Sequence, residues 1–159
     1  MEKEMRRKDR VMPPEDIERV LKENSHGVLA TVSADGTPYA NPISYVYHDG
    51  RIYFHSASQG HKVENMAHNP AVAFTVIGQV RMKGVPKADA YFESVIVFGK
   101  ASIVTDFDEQ VASMTELVRV FMPGQEYDTP DDLRKMQKAV HVYRIDIGRK
   151  TGKLRKPAG

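Results

Sequence analysis

The stretch "HGVLATVSADGTPYANPISYVYHDGRIYFHSA", residues 26–57, decides the fold. Three extended runs rich in Val, Thr, Ile, Tyr and Phe are separated by Asp35-Gly36 and Asp49-Gly50. Asp-Gly steps supply the positive-φ backbone of tight hairpin turns. The near-alternation of β-branched and aromatic residues between them fits a pleated, half-buried surface. The stretch therefore predicts an antiparallel meander.

Working outward, residues 71–80 ("AVAFTVIGQV") read as a fourth strand, and residues 94–105 ("SVIVFGKASIVT") as a fifth with a bulge or bend at Gly99. Residues 140–147 ("VHVYRIDI") make the last. The polar, mixed segment 81–92 reads as a loop or bent excursion. Residues 13–24 ("PPEDIERVLKEN") form an amphipathic helix, with prolines and acids at its start and Ile17, Val20 and Leu21 on one face. Shorter helices are expected after Gly60, ending at Asn69-Pro70, and within 131–139; a longer one covers about 108–122. The expectation is one domain over residues 1–159, mainly β with peripheral helices. Its core is a six-stranded antiparallel barrel, and residues 1–10 and 150–159 are solvated basic tails.

Composition narrows the function classes. Of 159 residues 41% are hydrophobic and 28% charged, the profile of an ordinary globular chain. No apolar run reaches the roughly 18 residues of a membrane helix, and no hydrophobic segment follows "MEKEMRRKDR", so neither a membrane partner nor a secretory signal is expected. Cysteine is absent, which excludes disulfides and thiol chemistry and is compatible with the cytoplasm. A formal net charge of +2 gives little support for nucleic acid as a partner. No Gly-x-Gly-x-x-Gly, P-loop or Gly-x-Ser-x-Gly sequence occurs.

The chemistry concentrates in "FHSASQGHK", residues 54–62. Two basic side chains, His61 and Lys62, stand at a helix start, where the dipole disfavours cations by a few tenths to about 1 kcal/mol. An anion would reverse that penalty: Ser56, Ser58, the backbone at Gly60 and Lys62 can surround a phosphate. Alternatively Ser56 or Ser58 caps the helix and Lys62 points to solvent. These residues alone leave both readings open. His55, His61 and His68 lack the convergent spacing of metal ligands, so no metal is expected. His26, His48 and His141 are assigned no role.

In this order, "RRKDR", residues 29–76 from "LATV" to "AVAFTV", "ESVIVFGKASIV" and "YRIDIGRKTGKL" resemble the flavin-binding split-barrel superfamily of pyridoxamine 5'-phosphate oxidase, and most of all its 5-nitroimidazole-resistance-type branch. The resemblance implies a six-stranded split barrel and a homodimer with FMN in two clefts at the interface. It further implies that His61 and Lys62 grip the FMN phosphate, and that His55, Ser56 and Ala57 lie along the ribityl chain and phosphate. Asn41, Pro42, Ile43, Ser44 and Tyr45 would pass the flavin ring, and Ser94 stands where the oxidases place a flavin-contacting glutamine. Relatives also bind haem or a deazaflavin. The chain departs from the oxidases at Asn41, where they carry arginine, at Val46, near their lysine, and in the C-terminal segment that grips their substrate; these departures argue against pyridoxamine phosphate oxidation. The implied function is FMN-dependent reduction of a small molecule such as a nitroaromatic, with a non-catalytic flavin or haem carrier or sensor as the alternative.

Overall fold

The computed structural model describes residues 4–83, 89–125, 128–136 and 138–156. Seven strands, β1 (His26–Val32), β2 (Pro38–Ser44), β3 (Val46–His48), β4 (Arg51–Ala57), β5 (Ala71–Lys83), β6 (Asp89–Ile103) and β7 (Val140–Arg155), form one sheet in the order β2-β1-β5-β6-β7-β4-β3. Every pairing is antiparallel. The helices are α1 (Pro14–Glu23), α2 (His61–His68), α3 (Phe107–Phe121) and α4 (Thr129–Met136).

The Asp-Gly turns form as expected, with positive φ at Gly36, Asp49 and Gly50. The run between them does not lie flat between two neighbours. It is interrupted at Tyr45, so its first part pairs with β1 and its last part with β4. Tyr45 makes the break. Its amide donates to the Ser25 carbonyl at 2.8 Å and its hydroxyl to the Leu21 carbonyl at 2.8 Å, while its buried ring meets Phe74 edge-on. Six expected strands thus become seven. The hydrogen-bonded ladder stays open, yet its two edges are successive pieces of one run.

Two further expectations are corrected. Residues 81–83 and 89–92 are strand, not loop: β5 and β6 pair out to Lys83↔Asp89, and residues 84–88 lie outside the described set. The bulge between Ile77 and Val80 shifts the side-chain parity and hides the strand pattern. The basic residues 150–155 are likewise strand, since β7 pairs with β6 as far as Arg155↔Phe92. A register shift does fall at Gly99, but the extra residue belongs to the partner strand: Phe98 pairs with Arg149 and Gly99 with Ile147, leaving Gly148 of β7 unpaired.

The sheet coils around one apolar core. Leu29, Ile52, Phe54, Phe74, Val76, Val95, Val97, Tyr143 and Ile145 point inward, and α1 closes one end with Ile17, Val20 and Leu21. Gly152 admits α1: a Cβ there would stand 2.6–2.8 Å from Ile17 and Met12. On the outer face, Val46, Tyr53 and Val142 meet Leu117 of α3 and Leu133 of α4. The outer face of β5 and β6 carries exposed apolar side chains, among them Ile77 (61% exposed) and Phe98 (42%).

Candidate functional site

After β4 the chain enters α2 through Gly60, whose φ of 130° and ψ of 166° suit glycine alone. No atom lies within 4 Å of a Cβ built there, so conformation and not space demands the glycine. The Val63 and Glu64 amides donate to the Gly60 carbonyl at 2.9 and 3.0 Å. The amides of His61 and Lys62, first in the helix, have no backbone acceptor among the described residues. No side chain caps the helix, so neither Ser56 nor Ser58 does so. The Ser58 amide is itself taken, donating to the Ala139 carbonyl at 3.0 Å.

Strand parity then sorts "FHSA". His55 and Ala57 face outward and are exposed, whereas Ser56 turns into the core. Ser56 Oγ is buried with no hydrogen-bond partner. Opposite it in the ladder stands His141, whose Nδ1 is also buried and unpartnered. His55 keeps contact with solvent, yet the protein around its ring, and then the nearby Lys62 ammonium, push its pKa below the usual imidazole value. His55, Lys62 and the two leading amides of α2 thus gather at one place.

His61 is not aimed there. Its Nε2 shares a hydrogen bond with Ser33 Oγ at 2.9 Å, and its ring lies 4.2 Å from that of Tyr39. It latches α2 to the β1–β2 hairpin, so the expected basic pair is divided, with Lys62 left at the site.

On β2, Asn41 and Ile43 pair with Leu29 and Gly27 and share the inner side, while Pro42 is exposed and Ser44 pairs with His26. Asn41 Oδ1 is buried without a partner, and its Nδ2 makes only a long 3.4 Å contact with the Pro42 carbonyl. Because β2 is an edge strand, one backbone edge is open. Tyr45, by contrast, is spent on the core. Ser94 lies elsewhere: it pairs with Lys153, eleven residues along β7 from Val142, the partner of His55. That is about 36 Å of extended chain.

Sequence reading missed the Ser56–His141 juxtaposition, which only the β4–β7 register reveals. It also missed Glu93, which is 2% exposed and binds Arg19 of α1. Among the described residues no group of three His, Asp or Glu side chains is placed to hold a metal, and no helix is long and apolar enough to cross a membrane.

A coiled antiparallel sheet with an open ladder, one plugging helix and a glycine-led helix start after β4 is the split-barrel architecture. The pyridoxamine 5'-phosphate oxidase family profile matches residues 13–154, and the chain belongs to that family. Among solved structures, a candidate 5-nitroimidazole antibiotic resistance protein from Bacteroides thetaiotaomicron superposes with a TM-score of 0.78 at 22% identity, covering 91% of this chain and 86% of its own. An FAD-binding protein from Mesorhizobium loti gives 0.65 at 25% identity, covering 92% and 98%. An FAD and haem binding protein from Mycobacterium smegmatis gives 0.75 at 19%, covering 91% and 72%. No curated protein sequence matches the chain.

Proposed function

We propose that this protein is a cytoplasmic FMN-dependent oxidoreductase, a flavin reductase acting on a small molecule such as a nitroaromatic. The observation that carries the reading is the meeting of Lys62, His55 and the free His61 and Lys62 amides behind Gly60. Helix amides and one ammonium are the donors a phosphate needs. The open backbone edge of β2 offers hydrogen bonds to the polar edge of a flavin ring. FMN, once bound, supplies the electron or hydride transfer; the residues named here hold and orient it.

The reading requires Ser94 of one copy of the chain to reach a cofactor held at Lys62 of another. A homodimer, with two clefts at its interface, meets that need, and the exposed apolar strip on β5 and β6 is a surface such a partner would cover. Purified protein titrated with FMN should bind it, and Lys62→Ala should weaken binding by about 1.5–3 kcal/mol, the range for a hydrogen bond to a charged group. Unchanged affinity refutes the phosphate assignment. Turnover of NADH or NADPH with a nitroimidazole tests the reaction.

A second reading is a flavin or haem carrier or sensor without turnover, supported by the named FAD-and-haem relative. The absorption spectrum of the purified protein separates the cofactors: flavin bands, a Soret band, or the distinct band of a deazaflavin. Absence of turnover with every donor favours the carrier.

A further inference from the structure

Two buried polar atoms face each other near the end of β4. Ser56, 5% exposed, and His141 of β7 form one rung of the antiparallel ladder. Neither Ser56 Oγ nor His141 Nδ1 has a hydrogen-bond partner among the described residues. Two residues further in along each strand, the rings of Phe54 and Tyr143 stack at 5.3 Å, so the pair lies between the apolar core and the strand end. The ladder finishes one rung later, at Ala57↔Val140, just before Gly60 opens α2.

The polar groups that seat α2 are already bonded. Asn65 Nδ2 donates to Thr31 Oγ1 at 3.0 Å, and His61 Nε2 shares a hydrogen bond with Ser33 Oγ at 2.9 Å. These bonds fix α2 against β1 and the turn after it, and so fix where the unbonded His61 and Lys62 amides stand. Leaving Ser56 and His141 unbonded is unfavourable, and a donor chain that ends on a ligand removes the penalty. Proton count sets the direction of that chain. A serine hydroxyl has one proton to donate and accepts through its lone pairs. If Ser56 gives its proton to His141, it presents only lone pairs to an anion. If His141 carries a proton on Nδ1 and donates it to Ser56 Oγ, the serine proton is free for the anion.

We propose that His141 is a positioning residue for a phosphoryl group bound where β4 ends and α2 begins. Its Nδ1–H donates to Ser56 Oγ, and the Ser56 hydroxyl donates to a phosphoryl oxygen. The inference rests on the phosphate site of the proposed flavin function. It adds to Lys62 and the two helix amides a donor that comes from the inner side of the sheet.

The test is calorimetric titration of the purified full-length protein with FMN and with inorganic phosphate. Ser56→Ala should weaken both by roughly tenfold or more, the size of one hydrogen bond to an anion. His141→Leu should weaken both several-fold, and His141→Asn, whose amide N–H stands in for Nδ1–H, should restore most of the affinity. In the Ser56→Ala background His141→Leu should have no further effect. Additive losses, or affinities that ignore His141→Leu, overturn the proposal. Riboflavin, which lacks the phosphate, should bind wild type and His141→Leu equally; a weaker riboflavin complex in the variant also overturns it. Nitrogen NMR of the histidine rings decides on the unmodified protein, even where a variant folds poorly: His141 Nδ1 should carry a proton in the ligand complex, and a bare Nδ1 refutes the donor chain. Phosphate binding that depends on His141, in a protein that never takes up FMN, keeps the inference and loses the flavin function. FMN binding that ignores His141 loses only the inference, and binding of neither ligand overturns both.

Discussion

Glu93, a buried carboxylate of β6, should be highly sensitive to substitution. It projects inward from β6 with 2% exposure, and its Oε1 accepts from Arg19 Nη2 at 2.5 Å and from the Tyr91 hydroxyl. Its Oε2 accepts the Gln79 amide at 3.3 Å, the donor released by the β5 bulge. Glu93→Ala removes all three bonds and leaves Arg19 without its buried partner. Breaking a buried ion pair costs about 3–5 kcal/mol. Arg19 is about a third exposed and keeps Asp16 at 3.2 Å and Glu23 at 3.0 Å, so the lower end, about 3 kcal/mol, is the expected loss. For a chain of this size that is a fall in Tm of about 6–12 °C.

The pH dependence has a definite sign. Burial alone would raise the Glu93 carboxyl, but hydrogen bonds from Arg19, Tyr91 and the Gln79 amide hold it below the usual carboxylate value of 4.5. A group depressed in the folded state stabilises fully above its unfolded pKa, and the gain disappears as pH falls through the folded one. The stability gap between wild type and Glu93→Gln should therefore be constant from pH 7 to about 5 and shrink below the ordinary glutamate range. Urea unfolding followed by far-UV circular dichroism measures both effects. A loss under about 1 kcal/mol for the alanine variant, or a gap that stays constant to the lowest pH at which the protein folds, refutes the assignment.

Three other substitutions follow from the same geometry. Tyr45→Phe deletes the hydroxyl that satisfies the Leu21 carbonyl and should cost about 1–3 kcal/mol in urea unfolding. Gly60→Ala forces a side chain to φ 130° and should cost about 1–3 kcal/mol, with amide exchange speeding at the first turn of α2. Ser56→Ala removes a buried hydroxyl that has no partner, so it should leave stability unchanged or raised; lowered FMN affinity in that variant would show that the hydroxyl reaches the cofactor.

Much of the fold was legible because its signals are local. Asp35-Gly36 and Asp49-Gly50 fix two hairpins, and the Ile17, Val20 and Leu21 stripe fixes the buried side of α1. What escaped depends on distant partners. The basic run 150–155 looks solvated, yet Lys150 projects to the inner side, where it bonds Glu18 of α1 and Tyr47 of β3. Gly152 beside it is buried only because Met12 and Ile17 pack there. The break at Tyr45 likewise depends on Ser25 and Leu21, two residues of an earlier segment.

The candidate site shows the same limit more sharply, because adjacent residues of a strand face opposite sides. His55, Ser56 and Ala57 are contiguous in sequence, but only His55 and Ala57 share the exposed side with Lys62 nearby. Ser56 looks inward toward His141. A ligand on the outer face cannot meet all three unless it passes the end of β4, where the strand stops and the Gly60 turn begins. That end is also where the amides of α2 open. A phosphate there would meet Lys62 and the amides and would approach Ser56 only from the strand end. An anion held by this segment would therefore sit where β4 ends and α2 begins, with the serines around it secondary.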